Sequence, residues 1–352
     1  MREDRVAYGQ PPRLDLAGSV LAQDVRIAGL VWTKGRRLTA QDLVAIAAQR
    51  DAGSVSVLVP GPGDIHEDEA AVRLALAVTG ALGPAEAGLA VRGPVQSRVD
   101  LIATVAGVVS VRTAALARLN RIDPLEVFTV EDGRVVGPGD LVASAKVGPF
   151  LVAAAAIAAG EAAAGHAGPV VRVRAFQPVR IAALVKEKIA GAPRARFQAS
   201  VMSRVAGLGA VWAGIQYVPD DAAAVINALR LATKGPGAAA IVLTAGGRSG
   251  DPADPFFVAV EALGGHVVRH GVPAHPGSML WLARIGRVTV LGLPSCGAYS
   301  KATAADLLLP RLVAGYPPTA ATVAALGHGG ILDQTQRYRF PAYARTLDGL
   351  DD

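Results

Sequence analysis

Cysteine is almost absent from this chain, since Cys296 is the only one in 352 residues. A single thiol excludes an internal disulfide, so we expect a protein of a reducing compartment, the cytoplasm. Aromatic residues make up only 5% of the sequence, and the lysines and arginines behind the net charge of +6 are scattered. A nucleic-acid surface needs clustered cations with stacking rings, so the composition argues against nucleic acid and favours a small anionic ligand.

Long apolar runs are also missing. The most apolar segment, Pro149–Gly160, is alanine-rich and shorter than the roughly 20 residues that cross a bilayer. We interpret it as a buried helix. The beginning of the sequence, MREDRVAYGQPPR, has no apolar core of the kind found in signal peptides. We therefore predict neither a membrane segment nor a signal peptide.

The length of 352 residues and the 51% hydrophobic content are enough for two or three packed domains. A Gly/Ala/His/Pro stretch, Gly165–Pro169, is the best linker by composition. We predict an accessory α+β region over residues 1–168. An α/β domain with alternating strands and helices follows over 169–332, and a polar tail occupies 333–352.

Local patterns divide the first region further. Thr39 is a good N-cap for a helix over Ala40–Arg50, and Ser54–Val59 alternates like a half-buried strand. We predict two helices between Leu82 and Asn120. The turn residues Glu131–Gly133 lie between two apolar triplets and predict a β-hairpin.

Two groups of polar residues in this region allow more than one interpretation. Acids and one histidine crowd a predicted helix start at Asp64–Glu69. Either the carboxylates cap the helix and interact with its dipole, which we favour, or they form a metal site together with His66. Lys146 is either an anion contact or an exposed lysine, and Arg92 and Arg98 leave the same two alternatives open.

The most informative stretch begins with a short apolar run, Ala239–Leu243, which has the length of a buried strand. A loop with three glycines follows, Thr244–Gly250. Asp251 and Asp254 come next, and Pro255 opens an apolar-periodic helix. The two aspartates are either helix caps or ligands of a cation.

Two more turns of small residues follow predicted strand ends, at Pro276–Ser278 and at Gly292–Ser295. Glycine allows backbone N–H groups to lie bare against a ligand, and clustered N–H groups bind anions. Loops at the carboxyl ends of parallel strands share one crevice. The sequence therefore predicts a site for a phosphorylated ligand at one edge of a parallel sheet.

The order of these turns resembles the molybdopterin-binding domain of molybdenum-cofactor biosynthesis proteins. The residues that match are Gly246-Gly247, Ser249 and Asp251 or Asp254, then Pro276-Gly277, then Gly292-Leu293-Pro294. The segments PAHPGSMLW, VLGLPSCGAYSKATAADLLLPRLVAG and LGHGGIL resemble the molybdopterin-binding half of longer proteins that also carry a nucleotidyltransferase domain. The resemblance extends from about Pro178 to Leu332.

This resemblance implies a three-layer, doubly wound, mostly parallel sheet, preceded by the accessory α+β region. It implies molybdopterin or a related pterin phosphate as ligand, and a homo-oligomer. By position, the ligand-binding residues are Lys186, Thr244, Gly246, Gly247, Arg248, Ser249, Gly250, Pro276, Gly277, Ser278, Pro294 and Ser295. Asp251 and Asp254 would be the catalytic residues and would hold Mg²⁺, a hard cation suited to carboxylate and phosphate oxygens.

Two departures from the family pattern leave the activity open. Lys186 follows the first strand of the predicted α/β domain, at a position where proteins of this family have a turn with threonine. Ser295 occupies a position where these proteins usually have glycine. An enzyme of this kind would adenylylate the pterin or insert molybdate. The alternatives are a non-catalytic binding or carrier protein that serves a separate nucleotidyltransferase, and an enzyme acting on another phosphorylated substrate. The sequence shows no Gly-rich nucleotidyltransferase signature of its own.

Overall fold

The fold is that of a computed structural model, which describes residues 1–165, 168–186, 191–294, 302–317 and 319–345, with side chains except at 191–193 and 334. The chain forms two compact units. The first comprises Met1–Val105, Val109–Asp132 and Val136–Val173, and the second comprises Ala106–Val108, Gly133–Val135 and Arg174–Asp352.

Short sheets and helices make up the region before residue 176. Its strands are β1 (Arg2–Ala7), β2 (Val20–Leu21), β3 (Val25–Ile27), β4 (Leu30–Trp32), β5 (Ser54–Val59), β6 (Asp64–His66), β7 (Leu89–Val95), β8 (Arg98–Ala103), β9 (Gly107–Val111), β10 (Leu125–Thr129), β11 (Val135–Val136), β12 (Leu141–Val147), β13 (Leu151–Ala153) and β14 (Val171–Ala175). The sheet orders are β1–β5–β2, β3–β4, β13–β6, β10–β12–β8–β7 and β11–β9–β14. This is the α+β accessory region that the sequence predicts.

The helices of this region pack apolar faces onto those sheets. They are α1 (Ala40–Ala47), α2 (Glu67–Thr79), α3 (Gly83–Glu86), α4 (Thr113–Leu119) and α5 (Ala154–Ala164). Leu74 and Val78 of α2 share a buried cluster with Val99 and Leu101 of β8. The predicted cap of α1 is confirmed, because Thr39 forms a capping box with Asp42.

Capping also accounts for the polar start of α2. His66 is the N-cap, and its Nδ1 accepts a hydrogen bond from the N–H of Asp68 at 3.2 Å. Its Nε2 lies 2.8 Å from the carbonyl oxygen of Gly35, to which it donates when protonated there. Both ring nitrogens of His66 therefore have protein partners, and the cap of α2 is this histidine rather than one of the carboxylates.

The prediction of two helices between Leu82 and Asn120 is wrong for most of that stretch. Strands β7, β8 and β9 occupy Leu89–Val111, and only the short helices α3 and α4 lie at its ends. In β8 the buried residues Val99, Leu101 and Ala103 alternate with more exposed ones, which is a strand period. The predicted hairpin at Glu131–Gly133 is also wrong, since β10 and β11 belong to different sheets.

The second unit is built on one six-stranded sheet. Its strands are β15 (Arg180–Val185), β16 (Val211–Tyr217), β17 (Ile241–Ala245), β18 (His266–His270), β19 (Trp281–Ile285) and β20 (Val288–Gly292). The order is β16–β15–β17–β20–β19–β18. The neighbours β16, β15, β17 and β20 pair in parallel, whereas β19 is antiparallel to both β20 and β18. The predicted mostly parallel sheet is confirmed.

Helices cover both faces of this sheet and complete three layers. They are α6 (Gly191–Gly207), α7 (Ala222–Lys234), α8 (Pro255–Ala262), α9 (Ala305–Val313), α10 (Ala320–Ala324) and α11 (Ala342–Arg345). Ile241, Leu243 and Ala245 share one core with α6 and α9, while Val242 shares the other with α7 and α8. Because both sides of β17 are buried, its sequence is apolar except for Thr244, which is also buried.

A buried ion pair fixes the layer formed by α6 and α9. Arg204 Nε donates to Asp306 Oδ1 at 2.8 Å, and both side chains are almost fully buried. Asp306 Oδ2 also accepts from the backbone N–H of Thr303 at 3.0 Å. This network holds the chain just before α9 in place, next to one of the predicted ligand-binding turns.

Candidate functional site

The carboxyl ends of β15, β17 and β20 lie side by side at one edge of the sheet. Two backbone hydrogen bonds join the residues at these ends. The N–H of Lys186 donates to the carbonyl of Ala245 at 3.0 Å, and the N–H of Leu293 donates to the carbonyl of Thr244 at 2.7 Å. The predicted crevice residues after these three strands therefore share one edge.

The turn Pro276–Ser278 reaches the same edge from the other direction. It precedes β19, whose first residue, Trp281, pairs with Gly292 at the end of β20. The N–H of Ala304 donates to the carbonyl of Pro276 at 3.0 Å. Gly277 has φ +110°, and a Cβ there would lie 2.8 Å from the nitrogen of Ala304. Glycine is therefore required at this position.

The glycine loop after β17 leaves backbone donors unused. The N–H groups of Gly246, Gly247, Ser249 and Gly250 donate no hydrogen bond to any residue that the structure describes. All four residues are partly or fully exposed. Gly246 has φ +81°, a conformation that glycine adopts without strain. Four bare N–H groups in one short loop make a surface that binds anions.

Asp254 lies beneath this loop as the N-cap of α8. Its Oδ1 accepts from the N–H of Phe256 at 2.9 Å. Its Oδ2 accepts from the N–H of Arg248 at 2.7 Å and from Lys186 Nζ at 2.5 Å. The side chains of Lys186 and Asp254 are each only 1% exposed. The capping alternative is thus confirmed for Asp254, which also neutralises a buried lysine.

Asp251 has different partners and does not cap α8. Its Oδ1 accepts from the N–H of Ala253 at 2.9 Å, and its Oδ2 accepts from Arg248 Nε at 3.0 Å. The hydrogen bond from Arg248, followed by the one from Ala253, lowers the pKa of the Asp251 carboxyl below its ordinary value of 3.8. Asp251 is therefore ionised near neutral pH.

Asp220 is a member of the site that the sequence did not reveal. Its Oδ1 lies 2.9 Å from Lys186 Nζ, and its Oδ2 lies 2.6 Å from the Arg248 guanidinium. The side chain is 46% exposed. Asp220 does not cap the following helix, because its neighbour Asp221 is the N-cap of α7. Two adjacent aspartates are equal as caps, so no sequence signal separated them.

The charges of this cluster nearly balance. Lys186 and Arg248 face Asp220, Asp251 and Asp254, which leaves a net charge of −1. Hydrogen bonds from Lys186 and then Arg248 lower the pKa of Asp220, so this carboxyl is also ionised near neutral pH. Both cations are thus paired, and an anionic ligand must compete with the half-exposed Asp220 for them.

The expected Mg²⁺ ligands, Asp251 and Asp254, do not fit a divalent cation in this arrangement. Three of the roughly four lone-pair sites on the Asp254 carboxylate are already used. The ammonium of Lys186 lies where a cation would bind that carboxylate. In the described part of the chain, no group of three or more His, Cys, Asp or Glu side chains is placed to hold a metal.

The predicted ligand-binding residues thus fall into three sets. Lys186 and Thr244–Gly250 lie together around the glycine loop. Pro276, Gly277 and Ser278 lie at the same sheet edge but pack against Ala304, and Pro294 directly follows Leu293 there. Ser295 lies outside the described residues. The direct contacts to Lys186 and Arg248 come from Asp220, Asp251 and Asp254.

Comparison with known protein families identifies the domain that contains this edge of the sheet. The profile of a family described as a probable molybdopterin binding domain matches residues 183–314. Residues 183–314 form a molybdopterin-binding domain. The match spans β15 to α9 and includes every loop of the cluster. The resemblance carried by the glycine and proline turns is thereby confirmed, and the match supports a pterin as the small-molecule partner.

Solved structures of three molybdenum-cofactor proteins are similar to parts of the chain. The molybdopterin biosynthesis enzyme MoaB from Thermus thermophilus is 23% identical, covering 40% of this chain and 98% of its own, with a TM-score of 0.30. A molybdenum cofactor biosynthesis protein B is 18% identical over 44% and 99%, with a TM-score of 0.28. The MoeA protein of Pyrococcus horikoshii is 15% identical over 71% and 79%, with a TM-score of 0.29. At these TM-scores the likenesses carry no weight for function.

No curated protein matches the chain significantly. Of the helices in the described ranges, none has the length and apolar character needed to cross a membrane.

Proposed function

We propose that the molybdopterin-binding domain holds the phosphate of molybdopterin, or of a related phosphorylated pterin, in the glycine loop, and that the chain acts in molybdenum-cofactor biosynthesis as a binding or carrier protein. The observation that supports this best is the set of four bare N–H groups at Gly246, Gly247, Ser249 and Gly250, beside two cations. Backbone donors bind phosphate without any added metal.

Asp220 controls access to this site in our proposal. Its carboxylate bridges Lys186 and Arg248 as a ligand phosphate would, and it is the exposed member of the cluster. When a phosphate enters, Asp220 moves out into water and the phosphate takes over the two cations. Asp254 stays in place, because it is buried and caps α8.

A Mg²⁺-dependent adenylyl transfer or molybdate insertion through Asp251 and Asp254 is the catalytic alternative. We do not build a step on it, because Lys186 and two N–H groups already use three of the roughly four lone-pair sites of the Asp254 carboxylate. In the binding-protein proposal, a separate nucleotidyltransferase carries out any transfer. The proposal also includes a homo-oligomer acting in the cytoplasm, and light scattering of the purified protein tests the oligomer.

The experiment compares what the purified protein retains. We expect mass spectrometry, and fluorescence after oxidation, to detect a pterin in the wild-type protein. Asp220→Asn should bind a pterin monophosphate about two- to tenfold more tightly in calorimetry, since the half-exposed carboxylate that competes with the phosphate for Lys186 and Arg248 is lost. Asp221→Asn is the matched control, because it removes the same charge and keeps the helix cap.

Three results would contradict the proposal. The first is a retained small molecule that is not a pterin. The second is an equal gain in affinity for Asp220→Asn and Asp221→Asn, which would mean that only the overall charge matters. The third is unchanged binding in Arg248→Gln, because this variant removes one of the two cations that the phosphate is proposed to contact.

A further inference from the structure

A second polar pocket lies in the first unit, on the outer face of β7, β8 and β12. Its volume is about 460 Å³, within the range of roughly 300–1,000 Å³ that is typical of small-ligand sites. The hairpin between β7 and β8, with Gln96 at its turn, forms part of the wall. The apolar residues of β8 point into the core, so the pocket is lined by the opposite, polar face of the strand.

Cations dominate this pocket. Arg92, Arg98 and Lys146 line it together with one acid, Asp100, which gives a net charge of +2. Asp100 holds both guanidinium groups in place, because its Oδ2 accepts from Arg92 at 2.9 Å and its Oδ1 accepts from Arg98 Nε at 2.7 Å. Each arginine keeps further N–H donors that are not used by Asp100.

Asp100 is itself held in place by its neighbour on β12. Its Oδ1 accepts from the hydroxyl of Ser144 at 2.7 Å, and Ser144 is almost fully buried in β12. Burial raises the pKa of Asp100, but the hydrogen bonds from Ser144, Arg92 and Arg98 outweigh it and leave the pKa below 3.8. The acid is thus an ionised anchor that orients two arginines toward the pocket.

Lys146 has no comparable partner. It lies directly opposite Arg98 in the β8–β12 ladder, and like charges at that spacing destabilise a sheet. Among the described residues its ammonium forms no ion pair or hydrogen bond. Glu126 lies opposite Lys146 in the β10–β12 ladder but does not line the pocket. The buried Glu67 interacts with Lys146 only by Coulomb attraction. The ammonium of Lys146 therefore keeps its N–H donors available to a ligand in the pocket.

We infer that this pocket, lined by Arg92, Arg98 and Lys146, is a second anion site that binds the phosphate group of a small phosphorylated molecule. One carboxylate is already present, so a ligand that neutralises the remaining +2 needs a phosphate dianion or a diphosphate. The site lies in the first unit and does not depend on the function proposed for the molybdopterin-binding domain.

Isothermal titration calorimetry on the full-length protein tests the inference with three probes: inorganic phosphate, inorganic diphosphate and ADP. We expect Arg98→Gln/Lys146→Gln to lower the number of bound diphosphates by one per chain, whether or not the second unit binds one. Lys146→Gln alone should weaken this event at least tenfold, and Lys146→Arg should restore it. Tighter binding of ADP than of diphosphate would assign the site to a nucleotide, whereas equal binding would assign it to the phosphate group alone.

The matched control is Arg118→Gln/Arg121→Gln, which removes the same charge from exposed positions in and just after α4. It should leave the stoichiometry unchanged. The ligand-free Lys146→Gln protein should keep a similar Tm, because the repulsion from Arg98 and the attraction to Glu126 are lost together. An unchanged stoichiometry in Arg98→Gln/Lys146→Gln would overturn the inference, and so would the same loss in the control.

Discussion

The pair of Lys186 and Asp254 allows a quantitative test of the site, because removing either partner leaves the other buried. Both side chains are 1% exposed, and their charged atoms are 2.5 Å apart. Asp254→Asn leaves the ammonium with only the half-exposed Asp220, so we expect unfolding free energy to fall by about 3–5 kcal/mol. Lys186→Met leaves the carboxylate with two N–H donors, and we expect a smaller loss of about 1–3 kcal/mol.

The double variant Lys186→Met/Asp254→Asn removes both charges. We expect it to lose only about 1–2 kcal/mol, because asparagine still caps α8 and methionine still fills the space. The coupling energy between the two positions should therefore be at least about 2 kcal/mol. Urea unfolding in a Trp32→Phe background measures it, since the remaining tryptophans, Trp212 and Trp281, both lie in the second unit.

The reasoning would be refuted by additive single losses. If the double variant loses the sum of the two single variants within about 0.5 kcal/mol, the two charges do not stabilise each other. The urea m-value should stay constant across the four proteins, because a changed m-value would show that the variants alter the unfolded state or the two-state transition instead.

Three further predictions concern metal, backbone and pH. Chelation by EDTA should leave pterin phosphate binding unchanged in calorimetry, and a tenfold loss would contradict a metal-free site. Gly277→Ala should lower stability by about 1–3 kcal/mol in thermal unfolding, because φ is +110°, whereas Gly250→Ala, with no atom within 4 Å, should change it by less than about 0.5 kcal/mol. Burial raises the pKa of Glu67 above 4.5, so its contribution to stability is lost as the pH rises through the folded-state pKa. Glu67→Gln should therefore match the wild type in urea unfolding below pH 4.5 and be more stable at about pH 7; equal stability at both would contradict this.

Local sequence signals predicted the second unit well. The apolar run Ala239–Leu243 could be assigned because a strand covered on both faces has no polar side. The cap at Asp254 and the proline at the next position marked the start of α8 for the same local reason. The glycine turns identified the family because their backbone conformations restrict the residue type.

The first unit was harder, and the error there has a specific cause. Between Leu82 and Asn120, short strands rich in alanine and valine also fit the pattern of amphipathic helices. The alternation in β8 covers only six residues, and a window that short fits either period. Which interpretation holds depends on pairing with β7 and β12, partners that lie before and well after it in the chain.

The sequence by itself determined three features of the site. These are the strand that precedes the glycine loop, the aspartate that caps the helix after the loop, and the family that the pattern of turns indicates. Each of these depends on contacts within a few residues, which a short motif records. Only the tertiary structure decided that Lys186 is neutralised by Asp254 and bridged by Asp220 to Arg248. These residues follow three neighbouring strands and are up to 68 positions apart, so their distances are set by the parallel order of the sheet.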